Sequence, residues 1–267
     1  MKLKYVILTL SIIIGLFLTV NKSYADNDIC YTIEEGKDCG DWIPYGFDMT
    51  YLNCTVHIDY YVRVCTIQQP NCKEGEVFFR LETKIKQIDW DWEQCQTLTQ
   101  ALFPGYPDNF GTMNYVQFGV LFSEASSLMA KNAFENFYNN LPPDEQTAYN
   151  CLGTPPNCGN PTWEDKCEAD VYYSNFSCQF ICWYFKGPGT GGSGPSVITM
   201  AHSCESASST CCAHYVKYCK CGDEIFSINY IESDGLCEDA IPPTPDPCFN
   251  ITGYDGYSSG GCITICQ

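Results

Sequence analysis

The chain has 267 residues, a formal charge of −18, 20 cysteines and an aromatic content of 15%. Nucleic acid and anionic lipid headgroups are excluded as natural partners by so strong a negative balance, because like charges repel. The aromatic content excludes a disordered chain. The acids are spread along the sequence, as on a solubilising surface and not in an acidic tail.

At the start, Lys2 and Lys4 precede an uncharged apolar run from Tyr5 to Val20, and a short polar stretch then ends in Ser23-Tyr24-Ala25. This order of basic, apolar and small residues predicts a secretory signal peptide over residues 1–25, cleaved after Ala25. The apolar run is shorter than the roughly 20 residues a spanning helix needs. Asn27-Asp28-Ile29 before Cys30 lacks the small residues of a lipid-attachment site. The mature chain is therefore expected to be secreted or at the cell surface, in the periplasm or outside the cell, with no membrane attachment. Removing Lys2, Lys4 and Lys22 takes the charge from −18 to −21.

All 20 cysteines lie beyond residue 25. An even count in an oxidising compartment predicts a disulfide framework. Zinc is the rival reading. Of the close pairs, only Cys178-x3-Cys182 and Cys262-x3-Cys266 have ligand-like spacing, and the chain has 3 histidines. No metal or cofactor is expected.

An internal repeat organises the chain. Cys54 leads into Tyr61-Val62-Arg63-Val64-Cys65, then Cys72, Glu76-Val77-Phe78 and Cys95. Cys212 leads into Tyr215-Val216-Lys217-Tyr218-Cys219, then Cys221, Glu224-Ile225-Phe226 and Cys237. Ordered self-similarity of this kind marks a duplicated supersecondary unit. A further echo relates Cys167-x10-Cys178-x3-Cys182 to Cys248-x13-Cys262-x3-Cys266, which predicts that the C-terminal tail is itself a strand or hairpin.

The repeated segments read as strands. Val56, Ile58, Tyr60, Val62 and Val64 alternate with Thr55, His57, Asp59, Tyr61 and Arg63, the period of a sheet with one buried face. Cys54 and Cys65 are then on opposite faces and are not expected to bond each other. Cys178 and Cys182 share a face, as do Cys262 and Cys266, and bonds are expected to partners on neighbouring strands.

Between the copies the period changes to that of a helix. Phe118, Phe122, Ala125, Met129, Ala133 and Phe137 form one stripe over residues 113–139. Pro142-Pro143 ends it, and Asp144-Glu145 open a short helix towards Cys151. Another helix is predicted from Trp92 to Leu102.

Proline and glycine clusters set the boundaries. The expected fold class is α+β and disulfide-rich: two small antiparallel β modules with a helical insertion in the first. The first module spans residues 26–152, with its insertion over about 92–151, and the second spans 162–237. A Pro-rich linker at 241–247 leads to a β tail at 248–267.

Chemistry is sparse. Ser193 in Gly191-Gly192-Ser193-Gly194-Pro195 misses the G-x-S-x-G elbow because proline holds the last position, and it reads as a surface loop. Cys211-Cys212-Ala213-His214 resembles the paired cysteines before the catalytic histidine of secreted phospholipases A2 over four residues only. The histidine comes one residue early, and Tyr215 replaces the aspartate. His57, His202 and His214 read as structural or surface histidines. Asp89-Trp90-Asp91-Trp92-Glu93 is the candidate ligand site: on a strand Trp90 and Trp92 share one face with Asp89, Asp91 and Glu93 on the other, a platform suited to sugars, whereas on a helix the two rings splay apart and at least one is core. Sequons at Asn53, Asn175 and Asn250 complete the inventory, with Asn53 and Asn175 beside or within strands.

The leading expectation is a secreted or cell-surface structural or interaction protein without catalysis, its partner an extracellular protein or a polysaccharide. A carbohydrate-type binding module and a secreted hydrolase are the alternatives. The disulfide cysteines singled out are Cys54, Cys65, Cys72, Cys95, Cys212, Cys219, Cys221 and Cys237.

Overall fold

The computed structural model describes residues 37–67, 78–151, 170–176, 178–187, 194–204, 211–233, 242, 247–248 and 250–264. The signal segment, Ser193, Trp163, Cys72 and Cys237 lie outside them. The fold is mixed α+β, dominated by strands that are mostly antiparallel.

The chain enters at β1 (Lys37–Cys39) and β2 (Ile43–Tyr51), and a tight turn leads to β3 (Cys54–Ile67). Leu52 and Asn53 form that turn with φ of 48° and 60°. Left-handed residues at both positions match the twist of a two-residue hairpin, and asparagine tolerates them better than leucine does. Asn53 is exposed at the tip of the turn.

β4 (Phe78–Trp90) pairs with β3 along nearly its whole length. On its other side, its first half takes β5 (Asp170–Phe176) in parallel and its last residues take β7 (Ser196–Ser203). β7 pairs with β6 (Cys178–Lys186), and β5 with β8 (Cys211–Cys221), which forms a hairpin with β9 (Glu224–Ser233). β4 is thus the junction of one sheet, with β3 on one side and β5 and β7 on the other. In the tail, β10 (Asp255–Ser258) and β11 (Ile263–Thr264) both pair with β6.

One face of the sheet is covered by helices. α1 (Gln96–Leu102) and the 26-residue α2 (Tyr115–Asn140) pack there. The N-terminal half of α2 brings Phe118, Leu121, Phe122 and Ala125 onto Val56, Ile58, Ile88 and Trp183. Its C-terminal half brings Met129, Ala133 and Phe134 onto Tyr60, Val62, Val216 and Tyr218. At about 1.5 Å per residue, α2 is about 39 Å long, enough to hold both halves of the sheet. It starts two residues later than the stripe suggests, where the Asn114 side chain accepts a hydrogen bond from the Gln117 N–H at 3.2 Å. α3 (Pro143–Gln146) and a 3-10 turn (Thr147–Tyr149) follow.

The expected helix from Trp92 is shorter than predicted. Asp91 Oδ1 accepts from the backbone N–H groups of Glu93 and Gln94 at 3.0 and 3.1 Å, which holds this stretch as a turn, and the helix begins at Gln96.

Five disulfides are described: Cys39–Cys65, Cys54–Cys95, Cys151–Cys219, Cys182–Cys248 and Cys204–Cys262. Cys221 is also disulfide-bonded. Bonds between neighbouring strands were the expectation. Among the described bonds only Cys39–Cys65 joins two directly paired residues of adjacent strands. Cys54 is joined instead to the turn before α1, and Cys182 and Cys204 to the tail. The reason is geometric. Cys95, Cys248 and Cys262 lie outside the strands, in segments that the tertiary fold brings over Cys54, Cys182 and Cys204. The tail, stapled in this way, covers the far face of β6 and β7, where Ile251 and Tyr254 pack with Phe180, Tyr184 and Ile198.

Candidate functional site

Residues directly opposite one another in paired strands share a face. Asp48 of β2, His57 of β3 and Asp89 of β4 are in line across three strands. The next row on the same face is Gly46, Asp59 and Gln87. The period of two that buries Ile58 and Tyr60 under α2 therefore turns these polar residues to the far face, away from the helices.

His57 is the centre of this group. Its Nδ1 is 2.6 Å from Asp48 Oδ1, and its Nε2 is 3.4 Å from Asp59 Oδ1. The ring lies over Gly46. A Cβ there would stand 3.2 Å from His57 Cε1 and 3.3 Å from Asp59 Oδ1, so only glycine leaves the ring this position without displacement. Gln87 Nε2 donates to Asp89 Oδ2 at 2.9 Å. The hydrogen bond to Asp48 raises the His57 pKa above its ordinary value, against partial burial and helped by the charges of Asp89, Asp59 and Asp48. Burial raises the Asp89 carboxyl, with Gln87 and His57 opposing and the other two acids adding to the rise.

Further along the same face the character changes to basic and aromatic. The Arg63 guanidinium is 4.4 Å from the centre of the Trp42 ring, and the Lys84 ammonium is 4.7 Å from it. Lys86 lies over Tyr61 at 5.9 Å. Arg63 also donates from Nε to Glu82 Oε2 at 2.7 Å, with Glu82 fully buried. Cys39, Cys65 and Glu82 come close enough together to suggest a metal site, but the two sulfurs are already joined to each other.

The segment singled out in the sequence is divided by the fold. Asp89 joins the His57 group. Trp90 is 2% exposed and donates from Nε1 to Thr99 Oγ1. Asp91 caps the turn before α1. Trp92 lies beyond the end of β4, half-buried between Tyr106 and Phe110, with its Nε1 donating to the Lys186 carbonyl at 2.9 Å. Trp90 and Trp92 therefore do not share a strand face, and Trp183 is fully buried.

Asp48, Gly46, Asp59 and Trp42 escaped the sequence reading. The His57-x-Asp59 alternation places those two on one face, but the partnership with Asp48 and Asp89 depends on strand register. His202 belongs to β7, four residues past Ile198, the residue opposite Asp89. That is about 13 Å along the strand at about 3.3 Å per residue, so His202 is not in the His57 group. Compared with known proteins, the chain matches no family model, no curated protein and no solved structure.

Proposed function

We propose that the protein is an extracellular, disulfide-braced interaction module that acts by presenting the far face of its sheet to another protein, without catalysis. One observation carries this reading: the side chains of Asp48, His57, Asp59 and Asp89 and those of Trp42 and Lys84 occupy one face of a stapled sheet, with the acids towards one end and the Lys84 cation towards the other. Surfaces patterned in this way select partners by complementary charge. The Asp48–His57 pair has the base and orienting carboxylate of a hydrolytic triad, but Asp59 faces His57 Nε2 where a nucleophile would stand.

Carbohydrate is the second reading, and it rests on Trp92 and Tyr106, two half-buried rings 6.1 Å apart beside Asp91. Two modules related by duplication remain part of the proposal. Val62 and Val216 both contribute to the core beneath α2. Cys65 and Cys219 are both fully buried, and each is bonded to a cysteine earlier in the chain.

Parallel arrays of cell-surface proteins and polysaccharides test these readings. Binding by the native chain that is lost in Asp48→Lys/Lys84→Glu, and kept in Lys131→Ala on α2, supports the protein-binding face. Polysaccharide binding lost only in Trp92→Ala supports the second reading. Binding that survives every one of these changes refutes both.

A further inference from the structure

We propose that His57 is a proton-operated fastener for the edge strand β2: as an imidazolium it bonds to Asp48 on that strand while facing Asp59 and Asp89 on β3 and β4, and on losing its proton it holds the strand less tightly. This does not depend on the protein having the binding role proposed above.

Geometry comes first. Both ring nitrogens face carboxylate oxygens, Asp48 at 2.6 Å and Asp59 at 3.4 Å. A neutral imidazole has one donor and one acceptor nitrogen, so one carboxylate would then meet a lone pair. Only the doubly protonated ring suits both contacts.

Among the described residues that neighbour His57 on this face, none is a cation. β2 presents Asp48 and Gly46, β3 presents Asp59, and β4 presents Asp89 and the neutral Gln87. Beyond Asp89, β7 presents Ile198. The nearest described basic side chains on this face, Arg63, Lys84 and Lys86, lie over Trp42 and Tyr61. Deprotonation thus leaves three acids around a neutral ring.

β2 is the element positioned to respond. Among the described strands it pairs with β3 alone. Disulfides fix the chain on either side of it, at Cys39 and at Cys54, so the loosening is confined to the strand between two anchors and does not detach it. Pro44, lacking an N–H, and Gly46 further weaken its ladder.

The direction of the effect follows from linkage. The folded-state His57 pKa is raised, mainly by the Asp48 hydrogen bond. Its stabilisation is therefore fully present below about pH 6.5, the unfolded value, and is lost as pH rises through the folded value. Asp89, raised by burial, acts with the same sign in a more acid window that starts from the ordinary carboxylate range.

The test is amide hydrogen exchange on the full disulfide-bonded chain, corrected for intrinsic pH dependence, over about pH 5.5 to 8.5. Protection of the central β2 amides is expected to fall about 1.5- to 5-fold relative to β7 as pH rises, the range of an exposed ion pair. His57→Gln and Asp48→Asn should each abolish that dependence, and the exposed Asp48 position provides a second variant should the first fail to fold. Constant β2 protection in the native chain, or an unchanged pH dependence in either folded variant, overturns the proposal.

Discussion

Trp90 Nε1 donates a hydrogen bond to Thr99 Oγ1 at 3.1 Å, and both residues are buried. This bond ties the last residue of β4 to α1, the first helix above the sheet. Thr99→Val preserves the shape and removes the acceptor, which leaves a buried indole N–H without its partner. The expected cost is about 1–3 kcal/mol, seen as a lower denaturant midpoint with an unchanged slope.

Phe134 stacks on Tyr218 with ring centres 5.3 Å apart and planes at 21°. It is a point where α2 meets β8. Phe134→Ala should destabilise by about 3–5 kcal/mol in thermal or denaturant unfolding. Val116 on the same helix is 69% exposed, and Val116→Ser should change stability by less than about 0.5 kcal/mol.

The tail is held to the sheet by Cys182–Cys248 and Cys204–Cys262, and Tyr257 stacks on Trp183 at 6.1 Å. Replacing Cys182 and Cys248 together by alanine should cost about 2–4 kcal/mol. Limited proteolysis should then cut the tail earlier, and the Trp183 contribution to fluorescence should change as Tyr257 withdraws. An unchanged proteolysis rate would mean that the tail does not depend on this staple.

Gly46→Ala places a methyl group 3.2 Å from His57 Cε1 and 3.3 Å from its Nε2. The ring must move, and its bond to Asp48 should weaken. The His57 pKa, followed by NMR, should then return towards about 6.5. The pH dependence of stability above that value should shrink with it, because less of the raised affinity for the proton remains.

Much of the secondary structure was legible because local periodicity carries it. The alternation from Val56 to Val62 is the buried and exposed pattern of β3. The stripe from Phe118 to Ala133 is the buried face of α2, and Phe137 packs at its margin. The strand character of the tail, expected from the echo of cysteine spacing, is seen in β10 and β11. The Trp90–Trp92 platform expected from the sequence is not formed, because it required β4 to continue past Trp90, whereas the side chain of Asp91 caps a turn there.

What the sequence determined by itself is therefore local: which residues alternate, which recur on a helical stripe, and that an even set of cysteines is available for bonding. Each of these depends on neighbours within a few positions. Tertiary structure decided the rest. Asp48, His57 and Asp89 meet only because two strand registers place them side by side, and a slip of one residue would turn any of them to the opposite face. The partners of Cys54 and Cys182 were decided in the same way, by segments that cross the sheet at sequence separations of 41 and 66.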